Sequence, residues 1–459
     1  MKLIRSIPKI ISCLILPVLV LQAESKPQPN VVVFLADDMG WGDAACYGNE
    51  KVQTPNIDKL ASQGIRFTQG YSASGVCSPS RSAILTGRTP YRNGVWNHLS
   101  GLGQTHLRER EITYPKLLQQ AGYETCHVGK WHLLSRNQFE DYEYPHPDTH
   151  GYDYWMATQN NAMPSHENPV NFVRNREKVG EMEGFSAPLV AAEGIHWLKD
   201  LRNKEKPFVL SVWVHEPHLP IATDEQFSDL YPGLPDQTYL GNVTQLDYAL
   251  GMVMDALDAE GVSDNTLIVF TSDNGPEGGD TPRNGSTGGL KGRKRACYEG
   301  GIRVPMVVRW PGMIEPGLVS EEPVIGSDIF STVLDATGIT LPSDRTIDGV
   351  SMIPAFRGEA LERKQPLFWR TPVSFGDSRL AMRVGDWKIV SNDTLDVLQL
   401  YHISEDPEET NNLASAMPEK LAQMKHQLLA TWNAIETEGP SEWWINATGR
   451  PKKGATLNY

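Results

Sequence analysis

Three short apolar runs, each ending abruptly in polar residues, constrain the fold of this chain more than any other feature of its sequence. They occupy residues 31–36, 208–214 and 267–270 and consist largely of Val, Ile, Leu and Phe. Uninterrupted apolar runs of this length suit strands that are buried on both faces of a mostly parallel sheet. Helical patterns lie between them, one closing at Gly122 and a longer one ending near Gly261. The sequence therefore predicts an α/β protein with a large, mostly parallel central sheet flanked by helices.

The pattern changes beyond residue 341. Short strand patterns and one helical pattern follow, at residues 367–369, 381–390, 400–403 and 418–435. We predict a main domain over residues 24–341 and a smaller C-terminal α+β subdomain, built on a short antiparallel sheet, over residues 342–459. With 459 residues, of which 40% are hydrophobic, the chain is long enough to bury a core in each.

The N-terminus has the pattern of a signal peptide. Lys2, Arg5 and Lys9 precede an apolar run over residues 10–21. This run is too short for a comfortable membrane span, so we predict no membrane span. We expect residues 1–23 to be removed on export, which places the mature protein in the periplasm or outside the cell.

Charge and cysteine content argue against two other classes of protein. The formal net charge is −14 and no run of Lys and Arg is long enough to bind nucleic acid, so we predict no nucleic-acid partner. The cysteines beyond the signal peptide contain no C-x-x-C pair that would indicate a thiolate metal site, and they are Cys46, Cys77, Cys126 and Cys297.

Acidic and amide side chains follow two of the predicted strands. Asp37 and Asp38 end the first apolar run, and Asp273 and Asn274 follow the third. Either pair alone would most simply be a turn or a helix cap. Open α/β sheets bind ligands beyond the carboxyl ends of their strands, and clustered carboxylates repel one another unless a cation lies between them. Together the two pairs predict a site for a hard divalent cation.

Residues 77–88 read C-x-P-x-R-x-x-x-L-T-G-R. Pro79 suits the first turn of a helix, which places Cys77 at the N-terminus, where unpaired N–H groups favour an anion, with Arg81 one turn later. This pattern resembles the signature of the type I, formylglycine-dependent sulfatases, arylsulfatase-like and carbohydrate sulfatase-like hydrolases of the alkaline phosphatase superfamily. The resemblance implies that a formylglycine-generating maturase converts Cys77 to 3-oxoalanine (formylglycine).

The resemblance also implies the metal. In sulfatases the positions of Asp37, Asp38, Asp273 and Asn274 bind one Ca2+, with Mg2+ possible, and formylglycine at Cys77 completes the shell. The main domain would then be the catalytic domain. The implied reaction is the hydrolysis of sulfate monoesters, and for an exported member we expect an exo-acting enzyme on sulfated sugars or glycans.

Two lysines and one histidine have counterparts in the family. In the G-K-W-H-L segment, Lys130 and His132 alternate, so on an extended strand they would point the same way; the resemblance makes Lys130 a sulfate ligand and His132 a base. Residues 298–305 read Y-E-G-G-I-R-V-P. In the family, a lysine lies four residues before the tyrosine of this segment. That lysine is Lys294, with Lys291 as the alternative.

The identity of the general acid remains open between two histidines. His215 and His218 both satisfy the family's H-x-P element, and the acidic-aromatic stretch at residues 224–227 favours His218. We therefore predict His218 as the acid and His215 as a neighbour in the substrate pocket. In the implied mechanism hydrated formylglycine is the nucleophile, Arg81 and the two lysines neutralise the sulfate, His218 protonates the leaving alcohol and His132 removes the proton that releases sulfate.

Substrate-binding residues are less constrained by the sequence. Trp96-Asn97-His98 and the insert at residues 157–175 are polar and aromatic enough to line a sugar subsite, although the insert fits an ordinary surface loop as well. The candidates are Asn97, His98, Gln159, Asn160, Asn161, His166 and Arg174.

Two other functions fit parts of the pattern. A phosphonate or phosphate ester hydrolase of the same superfamily would share the metal edge, but the second lysine and second histidine favour sulfate. A non-catalytic glycan-binding relative would be expected to have lost a metal ligand or Cys77, and no expected position is missing.

Overall fold

A computed structural model describes residues 28–99, 106–277, 284–374 and 376–439. The predicted signal peptide, residues 1–23, lies outside the described residues. Among the helices that are described, none is long and apolar enough to cross a membrane.

The described residues form sixteen strands in three sheets. The large sheet has ten strands, in the order β11-β2-β10-β9-β1-β8-β4-β5-β6-β7. The bounds are β1 (Asn30–Ala36), β2 (Ile65–Phe67), β3 (Gly70–Tyr71), β4 (Glu124–Lys130), β5 (Tyr154–Thr158), β6 (Val173–Arg174), β7 (Glu177–Lys178), β8 (Phe208–Trp213), β9 (Thr266–Ser272), β10 (Met306–Arg309), β11 (Leu318–Ser320), β12 (Val324–Ile325), β13 (Leu367–Arg370), β14 (Leu380–Val384), β15 (Trp387–Ser391) and β16 (Leu398–His402).

The centre of the large sheet is parallel. Strands β9, β1, β8, β4 and β5 all run in the same direction, and antiparallel pairs occur only towards the two sides. Ala36 pairs with Ser272, and Trp213 pairs with both Leu35 and Gly129. The carboxyl ends of four strands therefore lie level at one edge, and the residues that follow them meet there.

Eleven α-helices are described. They are α1 (Pro55–Ser62), α2 (Cys77–Thr86), α3 (Pro90–Asn93), α4 (Tyr114–Gln120), α5 (Arg136–Phe139), α6 (Ser186–His196), α7 (Glu225–Ser228), α8 (Gln237–Ala259), α9 (Glu299–Ile302), α10 (Asp328–Thr337) and α11 (Pro418–Glu438).

Helices cover both faces of the large sheet. Val31 and Val33 of β1 pack into a core with α2, α4 and α10, whereas Val32 and Phe34 pack into the opposite core with α1, α6 and α8. All of these strand residues are fully buried, and each stabilises the fold by about 1.5–3 kcal/mol relative to an exposed position. Burial on both faces explains why β1 reads as an uninterrupted apolar run.

Strands β13 to β16 form the smaller sheet, which is antiparallel throughout and packs against α11. The predicted fold class is confirmed: a large, mostly parallel sheet between helices, with a short antiparallel sheet towards the C-terminus.

A buried ion cluster joins the smaller sheet to the start of α9. Lys388 of β15 lies 2.7 Å from a carboxylate oxygen of Glu299 and 2.9 Å from one of Glu409. Arg303 lies 2.6 Å from the other oxygen of Glu299. Glu299 begins α9, so the cluster anchors the chain just downstream of Lys294.

Candidate active site

The four predicted oxygen ligands lie together where β1 and β9 end. Asp38 has a left-handed backbone, with φ of 65°, and its N–H donates to Asp273 Oδ1 at 3.1 Å. Asn274 Nδ2 donates to Asp38 Oδ1 at 2.7 Å. Because the two strands are in parallel register, Asp37 occupies the position next to Asp273. All four side chains are buried.

Cys77 faces this group from the first position of α2. Its Sγ lies 3.6 Å from Asp37 Oδ1 and 4.0 Å from Asp38 Oδ1. The residue is only 3% exposed. Burial, together with the nearby carboxylates, raises the pKa of the Cys77 thiol. An unmodified cysteine here is therefore protonated at neutral pH and is a poor nucleophile, since thiolates carry that reactivity.

Three cationic side chains pair with the three carboxylates. Lys130 Nζ lies 2.6 Å from Asp37 Oδ2, and Lys294 Nζ lies 2.6 Å from Asp38 Oδ2. Arg81 donates through Nε and Nη2 to Asp273 Oδ2, at 2.9 and 2.7 Å. These groups sum to zero formal charge, so a divalent cation would leave the site positive and able to attract an anion.

Burial and nearby charges shift the pKa values of two carboxyl groups in opposite directions. Burial by itself would raise the pKa of Asp37, but Lys130 and the other nearby cations hold it well below its usual range. Burial and the charge of Asp37 raise the pKa of Asp273 to about 7. Crowded carboxylates of this kind are stabilised by a bound cation.

The residues present fit a hard divalent cation. Asn274 Oδ1 is buried and has no hydrogen-bond partner among the described residues, and it lies beside carboxylate oxygens, which such ions prefer. Donor atoms of Asp37, Asp38, Cys77 and His218 all lie within 4.8 Å of one another.

The two candidate acids have different surroundings. His215 is fully buried, with Nε2 2.7 Å from Thr158 Oγ1 and Nδ1 2.6 Å from Ser186 Oγ. His218 uses Nδ1 to contact the Leu219 carbonyl oxygen, and its Nε2 lies 3.5 Å from Asp38 Oδ2. Of the two, only His218 presents a ring nitrogen to the carboxylate cluster.

His132 reaches the site by a turn rather than along a strand. The expectation that Lys130 and His132 share one extended segment is wrong, because β4 ends at Lys130 and His132 has φ of 55°. Its N–H donates to the Gln159 carbonyl at 2.8 Å, which fixes the turn. Burial and the charge of Lys130 lower the pKa of His132 well below its usual value, so the ring is neutral at neutral pH.

The two candidate lysines, Lys291 and Lys294, have different contacts. Lys291 Nζ donates to Tyr401 Oη at 3.1 Å and to the Glu409 carbonyl at 3.2 Å, and it lies 4.2 Å from the centre of the Tyr298 ring. Lys291 therefore supports the smaller sheet, whereas Lys294 contacts Asp38.

A cavity of about 150 Å³ opens above Cys77. We call it the catalytic cavity; its lining residues are Val76, Cys77, His98, His132, Asn160, His218, Glu277, Lys294 and Arg295. Glu277 was not singled out from the sequence, yet it lies 3.3 Å from Lys294 Nζ. Its signal was weak, since it is one acidic residue in a loop of mixed charge.

The predicted substrate-binding residues divide into two groups. His98 lines the catalytic cavity, and Asn97 accepts a hydrogen bond from the His98 N–H at 2.9 Å. His166 is instead fully buried, with its ring centre 5.5 Å from that of His215. Arg174 forms an ion pair with Glu193, with contacts of 2.5 and 2.8 Å. His166 and Arg174 do not line the catalytic cavity.

Comparison with known proteins gives consistent matches. A family model described as Sulfatase matches residues 29–339, and one described as N-sulphoglucosamine sulphohydrolase, C-terminal, matches residues 292–435. N-acetylgalactosamine-6-sulfatase of Rattus norvegicus is 35% identical over 407 residues, which cover 82% of this chain and 74% of the relative. Arylsulfatase H of Canis lupus familiaris is 34% identical over 415 residues, covering 72% of this chain and 73% of the relative.

A solved structure of Ps i-CgsB in complex with k-i-k-neocarrahexaose is also similar. It has a TM-score of 0.79 and 26% sequence identity, and the match covers 94% of this chain and 96% of that one. The family model covers more than half of the chain, and the relatives are similar over most of their own lengths. The chain therefore belongs to the sulfatase family, the enzymes that hydrolyse sulfate esters.

Proposed function

We propose that this enzyme removes sulfate from carbohydrates, using a formylglycine made from Cys77. The observation that carries the proposal is the position of Cys77: it begins a helix, is buried, and lies within 4.0 Å of two carboxylates that are each paired with a lysine. The protonated thiol of Cys77 is a poor nucleophile. Its oxidation to formylglycine would supply a better nucleophile at the same buried position.

The formylglycine and the divalent cation would each supply part of the chemistry. Hydrated formylglycine offers a hydroxyl nucleophile, and Ca2+ or Mg2+ would contribute positive charge beside residue 77. Asp37, Asp38, Asp273 and Asn274 would hold the cation. The unpartnered Asn274 Oδ1 supports this assignment.

The remaining side chains act on the sulfate and on protons. Lys294 lines the catalytic cavity and Lys130 pairs with Asp37 next to Cys77, where the two ammonium groups would orient sulfate oxygens and stabilise charge that develops during cleavage. Arg81 holds Asp273 and donates to the Lys130 carbonyl at 2.9 Å, which keeps this part of the site rigid. His218 Nε2 would donate a proton to the leaving oxygen, and neutral His132 would accept one during sulfate release.

Carbohydrate is the substrate class that the comparisons support best. The rat relative is an N-acetylgalactosamine-6-sulfatase, and the similar solved structure contains a k-i-k-neocarrahexaose. The catalytic cavity, at about 150 Å³, lies below the usual size of pockets for larger ligands, which suits one terminal sulfated sugar and hence exo action.

Export and modification by a maturase belong to the same proposal. The N-terminal pattern of charged residues and an apolar run supports export to the periplasm or beyond. Because Cys77 is 3% exposed, the maturase would need the chain before it folds.

The test joins mass analysis to a substrate panel. Protein from a host with a formylglycine-generating maturase should contain 3-oxoalanine at position 77, and it should release sulfate from at least one sulfated mono- or oligosaccharide. Cys77→Ala should lose essentially all of this activity. Full activity with unmodified cysteine, or faster cleavage of phosphonate and phosphate monoesters than of every sulfate ester, would overturn the proposal.

A further inference from the structure

A second and larger cavity adjoins the catalytic cavity. Its volume is about 820 Å³, within the range of pockets that enclose sizeable ligands. We call it the distal cavity; it is lined by α5 and the turn after it, by the insert following β5, and by Lys178 of β7. Asn160 lines both cavities, so a ligand seated over Cys77 could continue into the second one.

The wall between the cavities is tied to both candidate catalytic histidines. The Gln159 carbonyl accepts the His132 N–H at 2.8 Å, and Asn161 Nδ2 donates to the Leu219 carbonyl at 3.1 Å, next to His218. The Asn160 side chain between them makes no hydrogen bond with any described residue, although its Oδ1 is buried. A ligand that crosses this wall would therefore meet an amide whose hydrogen-bonding capacity is unused.

The charges of the distal cavity favour an anionic ligand. Arg136 and Lys178 are exposed side chains in its lining, and neither forms an ion pair within the described part of the chain. Glu140 is the one acidic residue of the lining. The charged residues of the lining therefore sum to +1, on a protein whose formal net charge of −14 would otherwise repel a polyanion.

The rest of the lining suits sugar rings. Tyr142 is 37% exposed; Arg176 and His146 lie 5.8 and 5.3 Å from its ring centre, and the exposed part of the ring offers apolar surface to a sugar. Asn171 is bonded at both ends to the backbone, but the Oδ1 atoms of Asn160 and Asn161 have no partner among the described residues, and such oxygens accept hydrogen bonds from hydroxyls.

We propose that the distal cavity binds the sugars next to the scissile one in an acidic oligosaccharide, and that Arg136 and Lys178 recognise the carboxylate or sulfate groups of those sugars. This inference rests on the proposed function and deepens it, because it makes the preferred substrate a polyanionic glycan rather than an isolated sulfated sugar. His166 and Arg174, predicted from the same insert, take no part.

The experiment measures binding in Cys77→Ala protein, so it does not depend on catalysis. Calorimetric dissociation constants are compared for hexasaccharides of chondroitin 6-sulfate and iota-carrageenan and for neutral chitohexaose carrying N-acetyl groups. We expect at least one acidic hexasaccharide to bind more tightly than the neutral one. Adding Arg136→Gln and Lys178→Gln should weaken that binding roughly threefold to thirtyfold and reduce its salt dependence, as expected for two partly exposed charge contacts.

The matched control is Lys59→Gln, which removes one positive charge from α1, outside the lining of both cavities. It should leave the affinity unchanged, and melting temperatures should show that every variant is folded. Equal affinity for acidic and neutral hexasaccharides, or equal affinity with and without Arg136 and Lys178, would overturn the inference. Failure of the proposed function would look different, since the unmutated enzyme would then release sulfate from none of the sulfated mono- and oligosaccharides, whatever the binding data.

Discussion

His215 and His218 lie three residues apart in the sequence, yet their rings have different surroundings in this structure. His215 is enclosed by the hydroxyls of Thr158 and Ser186, which engage both of its nitrogens. His218 reaches Asp38 and lines the catalytic cavity. A proton donor to the leaving oxygen needs a free nitrogen at the cavity, so the geometry favours His218.

We expect His218→Ala to lower kcat for a sulfated sugar by roughly 100-fold or more, and to lower it much less for an activated aryl sulfate. The reason is that an alkoxide needs protonation as it departs, whereas a stabilised phenolate does not. His215→Ala should instead lower the melting temperature and slow both substrates by a similar factor. Steady-state kinetics of both variants on both substrates check this; leaving-group dependence in His215→Ala alone would show that His215 is the acid.

At this scale the sequence could identify residue types but not their partners. The motif around Cys77 has a fixed spacing within one helix, so Arg81 could be placed one turn from Cys77 without a structure. Asn160 is a candidate from the sequence, but its lack of a hydrogen-bond partner among the described residues, like the contact of Glu277 with Lys294, could not be found this way, because both depend on how the chain folds. His166 is polar in sequence but is buried against His215.

The strand ends are the element on which the metal assignment depends. Asp37 and Asp38 follow β1, and Asp273 and Asn274 follow β9, so one cation would join two parallel strands. Lys130 and Lys294 neutralise the charges of Asp37 and Asp38, and the same two lysines would contact the sulfate.

We expect exhaustive chelation to abolish sulfate release and to lower the melting temperature, because emptying the site leaves crowded carboxylates and removes the stabilisation that a bound ligand gives the folded state. Added Ca2+ should restore both. Differential scanning calorimetry on Cys77→Ala protein isolates the stability effect from catalysis. A melting temperature and an activity that are both indifferent to chelation would contradict the metal assignment.

Strands were more predictable than the turns that follow them. The predicted run at residues 31–36 differs from β1 by one residue, because burial on both faces leaves an unbroken apolar signal. The turn at His132 was missed: the His132 N–H donates to the Gln159 carbonyl, and the strand before it packs so closely at Gly129 that a side chain there would collide with the Trp213 carbonyl. Neither contact has a local signature in the sequence.

Across the whole molecule, several histidines are buried in a neutral state. Burial lowers the pKa of His127, His150 and His166 to about 3 in each case. His127 lies among aromatic rings, with its ring centre 5.0 Å from that of Trp213, and neither of its nitrogens forms a hydrogen bond in the part of the chain that the structure describes. Between pH 6.5 and 3 the unfolded chain binds protons at these positions that the folded chain does not, so stability falls as the pH falls.

His127→Phe removes one group that takes up a proton when the chain unfolds. Below pH 6.5 this group lowers the free energy of unfolding by about 1.4 kcal/mol per pH unit, and we expect the variant to be spared that loss. The melting temperature of the variant, relative to the unmutated protein, should therefore rise as the pH is lowered from 7 to 5. His426→Gln, at an exposed position on α11, serves as the control and should show no such trend. A constant difference for His127→Phe across this range would contradict the explanation.

The ion cluster of Lys388, Glu299 and Glu409 also sets an order of events during synthesis. Lys294 leaves the ribosome well before Lys388 and Glu409, which anchor the chain beside it. A nascent chain can therefore carry every candidate catalytic side chain while the loop that holds Lys294 still lacks its support. Under the proposed maturation, a modifying enzyme would reach Cys77 during that interval, before the smaller sheet completes the fold in which Cys77 is buried.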